Sequence, residues 1–242
     1  MVRAVITAGG RVDDAFAAAI GTQVKALAPL DTGVLLDRIL AAIGAAGIDE
    51  LAVVGDPTAG FRLPENVRLI PAAPAGAANV ALALDAWPDG DLLFAASDLP
   101  FVTASELGAF LAASAPYDLT MPLAAAADYE AAFPGAPPHI MTLGGERIAG
   151  GSVFFIGQHA RAQVRAIAGR FFDARKSAVG MARLLGPTLL LRYLVRGLRI
   201  AHVEQRAASV FGVRAAAIRD SGPGLSYDVD TLAEYRYACA RT

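Results

Sequence analysis

Short apolar runs, turn residues and stretches of helical spacing alternate through most of the chain. The opening VRAVITAGG reads as an apolar strand that turns at Gly9 and Gly10, followed by an irregular loop to Lys25 and then a helix. Residues 34–46 carry apolar side chains at helical spacing and run out at Gly44 and Gly47. The runs at 51–55, 67–71 and 92–96 are short and apolar and predict strands. The last of these delivers Ser97, Asp98, Leu99 and Pro100 at its carboxyl end. A helix is expected over 77–87, and another from Thr103, where Glu106 three residues on completes a capping box. Such βα punctuation predicts a largely parallel sheet between two helical layers.

Beyond 119–123, another expected strand, the pattern loses its period. The prolines and glycines of 124–151 argue for an excursion with a small hairpin or loops and against a regular helix. Residues 152–156 return as a strand. Helices are expected over 158–168, 177–185, 187–195 and 202–211, then a strand at 213–218 and a turn at SGPG. Asp230 or Thr231 caps a terminal helix, with Thr231 and Glu234 as a second capping box. The expected organisation is one domain over 1–242 containing a helical subdomain at 158–211.

Composition sharpens this picture in a few places. Apolar residues make up 55% of the chain, many of them alanine, which favours closely packed helices. The formal charge of −2 gives no reason to expect a nucleic-acid partner. The single cysteine, Cys239, excludes an intrachain disulfide and fits a reducing, cytoplasmic setting. No secretory leader pattern or charge-free apolar run of about 20 residues is seen, so no transmembrane segment is expected. Residues 181–200 set Arg183, Arg192, Arg196 and Arg199 among apolar residues and could dock on the body or make peripheral membrane contact.

Three places carry candidate chemistry. Backbone amides at Gly9 and Gly10 could converge on an anion, with Lys25 as a cation with three donors, or the glycines could simply form a turn. The spacing is not that of a P-loop. Asp98 stands beyond the end of a strand, where ligands of open α/β sheets bind, and could hold Mg²⁺ or serve a turn. Asp228 and Asp230 alternate, so an extended chain would point both the same way, with Asp230 also suited to a helix cap. His139, His159 and His202 lack zinc-site spacing; His139, after two prolines, could sit over a substrate, but a structural or solvent role is expected for it.

In AVITAGG, KALAPLDTGVLLDRIL, LAVVGDP, AANVALALDAW, LLFAASDLPFVT and YDVDTLAEY the chain resembles the MobA-like nucleotidyltransferases, in that order and across almost its whole length. The resemblance implies a Rossmann-like, GT-A-like three-layer αβα fold with a mixed sheet and a C-terminal helical elaboration. It implies an NTP held over Ala8, Gly9, Gly10 and Lys25, with Asn79 near the nucleotide or capping a helix. Asp98 and Asp230 then coordinate Mg²⁺, or Mn²⁺ in its place, and Lys25, Asp98 and Asp230 form the catalytic set. The implied reaction moves NMP from NTP to a phosphorylated small-molecule acceptor and releases pyrophosphate. A nucleotide-sugar glycosyltransferase and a non-catalytic nucleotide-binding regulator are the alternatives.

The first loop, GGRVDDAFAAAIGTQVK, departs from the compact GGxSxRxG pattern of many members. The later ERIAGGSVFFIG and FFDARKSAVGMARLLG resemble a subgroup in which Arg147, Gly150, Gly151, Arg175 and Lys176 could bind an acceptor phosphate, or form a hairpin turn and a solvated helix start.

Overall fold

Burial along the first strand decides the architecture. In β1 (Val2–Thr7), Ala4, Val5 and Ile6 are all fully buried, although successive side chains point to opposite faces. Both faces of the sheet must therefore be covered, as in parallel α/β sheets. The computed structural model describes residues 1–74, 76–137, 139–174, 186–194 and 197–242. Its other described strands are β2 (Leu51–Gly55), β3 (Val67–Pro71), β4 (Asp91–Ala96), β5 (Leu119–Ala125), β6 (Ile140–Leu143), β7 (Glu146–Gly150), β8 (Val153–Ile156) and β9 (Ala215–Ile218). The first helices are α1 (Asp14–Ile20), α2 (Leu35–Ala45), α3 (Gly76–Leu84) and α4 (Ala104–Ser114). After them come α5 (Ala126–Ala132), α6 (Arg161–Ala174), α7 (Pro187–Leu194), α8 (Ile200–Phe211) and α9 (Leu232–Cys239).

The sheet order is β3-β2-β1-β4-β8-β5-β7-β6, with β9 also paired to β5. Strands β1 to β4 are mutually parallel, β8 is antiparallel to both β4 and β5, and β5 is parallel to β9. The sheet is thus mixed, as expected. One face packs Ala4, Ile6, Val53, Leu93 and Ala95 against Leu36, Ile39 and Ile43 of α2 and Leu107 and Phe110 of α4. On the other face, Val5, Ala52, Val54 and Leu92 meet Ala83 and Leu84 of α3 and Val164 of α6. Three layers result, and α6, the first helix of the expected 158–211 unit, belongs to the body.

Two helices lie where none was expected. The loop between Gly10 and Lys25 contains α1, with Asp13 Oδ1 accepting from Phe16 N at 2.8 Å and Gly21 closing it in the left-handed region at φ 76°. Its buried Phe16 and Ile20 anchor it to a second apolar cluster that includes Tyr129 and Tyr227. The excursion after β5 begins with α5, which buries Tyr129, before the expected hairpin β6–β7. The helix expected at 177–185 lies outside the described residues, as do Arg183 and Arg196. Among the described residues, no helix is long and apolar enough to cross a membrane.

Candidate active site

The long first loop returns Lys25 to the glycine corner. Arg11 pairs with Val24 in an antiparallel bridge, Val12 N donates to Gln23 O at 3.0 Å, and Lys25 N donates to Gly10 O at 2.9 Å. This short ribbon cinches the loop at its base and leaves α1 as an outgrowth. Ala8 is buried at the end of β1, and its N–H donates to Val54 O at 2.8 Å. Neither Gly9 nor Gly10 uses left-handed backbone. A Cβ at Gly10 would press on Lys25 Cε at 3.3 Å, whereas one at Gly9 would meet only Asn79 Nδ2, at an ordinary 3.7 Å. Internal packing therefore explains glycine at position 10 better than at position 9.

Asp98 follows β4, whose carboxyl end opens on the same side as that of its parallel neighbour β1. It is only 6% exposed, and its carboxylate forms an ion pair with Lys25 Nζ. Lys25 Nζ also contacts Asp230 Oδ1 at 2.5 Å. The late acidic segment is docked by its backbone, since Val229 N donates to Asp98 O at 3.0 Å. Three residues far apart in sequence are thereby joined through one ammonium group.

The electrostatics of this cluster favour an added cation. Burial pushes the Asp98 carboxyl up, Lys25 opposes that shift, and the charges of Asp228 and Asp230 add to it. Burial works to lower Lys25, but attraction to Asp98 and Asp230 outweighs it and holds the ammonium above its ordinary value. Asp98 Oδ1 is buried without a hydrogen-bond partner. An unsatisfied buried carboxylate oxygen is costly and suits a hard divalent ion. Among the described residues, no group of three or more His, Cys, Asp or Glu side chains is arranged to hold a metal alone. Two carboxylates completed by nucleotide phosphates and water are sufficient for Mg²⁺.

Asp228 and Asp230 find different partners despite their alternate spacing. Ser152 Oγ donates to Asp228 Oδ2 at 2.7 Å, and His139 Nδ1 stands 3.3 Å from Asp228 Oδ1. Asp230 turns to Lys25, and its backbone N–H donates to Glu234 Oε2 at 2.7 Å. Thr231 caps α9, and Glu234 Oε2 also accepts from Thr231 N, completing the expected box. Ser152 escaped the sequence reading because one serine ahead of an apolar strand has no distinguishing pattern.

The remaining expected site residues that the structure describes are otherwise engaged. Asn79 accepts from Ala73 N at 2.7 Å and donates to Ala73 O at 3.1 Å, so its amide clasps the loop beside Gly9. Arg147 pairs with Glu130 on the surface at 2.6 Å. Gly150 pairs with Leu123 in the sheet, and Gly151 donates its N–H to Pro122 O at 3.0 Å. A Cβ at Gly151 would fall 2.7 Å from Leu225 O, so packing requires glycine there. Arg175 and Lys176 lie outside the described residues.

A mixed three-layer sheet with a lysine, a glycine corner and acidic groups gathered beyond its strand ends defines a Rossmann-like nucleotidyltransferase of the GT-A type. The chain belongs to the MobA-like NTP transferase domain family, which it matches over residues 4–170. It is similar to a hypothetical transferase from Thermus thermophilus, with 27% identity and a TM-score of 0.82 over 96% of this chain and 98% of that one. A nucleotidyl transferase from Methanothermobacter thermautotrophicus shares the fold at 17% identity and a TM-score of 0.56, over 98% and 94% of the two chains. So does the Mycobacterium tuberculosis protein Rv0371C, solved in complex with manganese, at 15% identity and a TM-score of 0.58 over 100% and 99%. No curated protein matches the chain.

Proposed function

We propose that this nucleotidyltransferase moves NMP from an NTP to a phosphorylated small-molecule acceptor, with Lys25, Asp98 and Asp230 as its catalytic set. The observation that carries the reading is the convergence of Lys25 on both carboxylates beside the Gly9–Gly10 corner. Asp98 and Asp230 would hold Mg²⁺ or Mn²⁺, a reading supported by the unpartnered Asp98 Oδ1 and by manganese in the fold relative from M. tuberculosis. When bound, the ion supplies positive charge against the triphosphate and the leaving pyrophosphate.

The chain's own groups bind and align. The backbone at Ala8, Gly9 and Gly10 lies against the triphosphate, and the absent Cβ at Gly9 allows close approach. Lys25 leaves its carboxylate partners for phosphate oxygens when nucleotide binds. An acceptor phosphate oxygen attacks the α-phosphorus in line, the bond from the α-phosphorus to the bridging oxygen breaks, and pyrophosphate leaves with that electron pair. An ionised acceptor phosphate needs no general base, so alignment and charge stabilisation account for the rate.

The test is incubation of the purified chain with Mg²⁺, each NTP and a library of phosphorylated metabolites, with both products identified by mass. A nucleotidylated acceptor and pyrophosphate in equal amounts support the reading. Release of a nucleoside diphosphate from a nucleotide sugar would overturn it, as would full turnover by Asp98→Asn.

A further inference from the structure

We propose that His139 is a positioning residue that fixes the acidic segment 228–231 for divalent-cation binding. His139 stands beside two carboxylates, with Nδ1 3.3 Å from Asp228 Oδ1 and Nε2 3.1 Å from Glu234 Oε1, although Nε2 is buried without a hydrogen-bond partner, so the two contacts are close approaches of charge and not hydrogen bonds. Its side chain is 16% exposed and lies against Tyr129 and Tyr227, with ring centroids 6.0 and 5.5 Å away. Those two carboxylates bracket the segment that ends at the candidate metal ligand. Asp228 is held from its other side by Ser152, while Glu234 carries the N–H groups of Asp230 and Thr231 on Oε2.

Asp230 itself has little to hold its side chain, which is 65% exposed and touches Lys25. Its place therefore depends on its backbone. Two hydrogen bonds set that backbone, Val229 N to Asp98 O and Asp230 N to Glu234 Oε2, and His139 lies between the carboxylates of Asp228 and Glu234 on either side of it. The imidazole sits between the carboxylate at the start of the segment and the one beyond its end, where a positive charge on the ring draws both towards it. Groups that orient metal ligands without touching the metal contribute about 10- to 100-fold to metal affinity.

The inference rests on Asp98 and Asp230 being the metal carboxylates, and the experiment separates the two claims. Free Mn²⁺ is titrated by electron paramagnetic resonance against the full chain with a mixture of the four α,β-methylene NTPs, for wild type, Asp98→Asn, His139→Phe and His139→Gln. Phenylalanine keeps a ring against Tyr129 and Tyr227 but carries no nitrogen, and glutamine can reach one carboxylate at a time. Asp98→Asn should abolish specific binding, His139→Phe should weaken it about 10- to 100-fold, and His139→Gln should fall between Phe and wild type. If His139→Phe binds Mn²⁺ as wild type does while Asp98→Asn does not, the histidine only packs and the inference falls. Wild-type binding by Asp98→Asn overturns the reading of the metal carboxylates instead. Should His139→Phe fail to fold, wild-type affinity in His139→Gln overturns the inference, and weakened affinity with an unchanged thermal midpoint supports it.

Discussion

Lys25 pairs with both Asp98 and Asp230, so if these two carboxylates hold the metal as proposed, ammonium and metal compete for the same negative charge in the nucleotide-free protein. Lys25→Met should therefore bind Mn²⁺ more tightly than wild type without nucleotide, yet turn over NTP more slowly. Unchanged or weaker binding without nucleotide would show that lysine and metal use different space. Gly9 offers a complementary test, because no protein atom forbids a Cβ there. Gly9→Ala should leave stability unchanged or raise it by about 0.4–1 kcal/mol through the unfolded chain. Its KM for NTP should nevertheless rise, if the missing Cβ serves ligand approach; steady-state kinetics beside urea unfolding would separate these effects. Lys25 and Asp98 were legible in sequence because each follows a strand or glycine corner at a chemically suggestive place. Ser152, and the bridge His139 makes between two carboxylates, were not, since their partners lie 76, 89 and 95 positions away along the chain.

At the scale of elements, Glu106 ties α4 to the turn at 223–225 that precedes the late acidic segment. Its Oε2 accepts from Thr103 N at 3.2 Å as the capping box predicts, while Oε1 accepts from Gly224 N at 2.9 Å. Glu106→Ala should cost about 1–2 kcal/mol in urea unfolding, beyond the lower values typical of an exposed cap. A loss below about 0.5 kcal/mol would mean that the Gly224 contact adds nothing. The βα rhythm of 34–114 was readable because strand and helix periods differ and both faces of the sheet are filled. Helix α1 was hidden inside a loop expectation: its alanines fit a helix, but at seven residues its apolar period barely repeats, and its Asp13 and Gly21 caps resemble ordinary turn residues. Helix α5, also seven residues, was obscured in the same way by the prolines and glycines that follow it.

Over the whole molecule, the returning strand β9 is buckled to β5 by one carboxylate. Asp118 accepts from Arg214 N at 2.9 Å and from its guanidinium at 2.9 and 3.1 Å. The Arg214 side chain, then its backbone N–H, hold the Asp118 carboxyl below its ordinary value of 3.8. The folded state thus binds this proton less readily than the unfolded chain, so the contact stabilises above pH 3.8 and is lost as pH falls through the lowered value. Asp118→Asn should lower the urea midpoint at pH 7 and flatten the acid-side fall in stability; parallel pH profiles would exclude this role. The docking of Val229 on the backbone of Asp98 has a further consequence. The stretch that brings Asp230 to Lys25 also carries Tyr227 and Val229 into the second apolar cluster. A fragment cut after residue 220 would lose its acidic wall and uncover hydrophobic surface together, so partial chains should be sticky as well as inert.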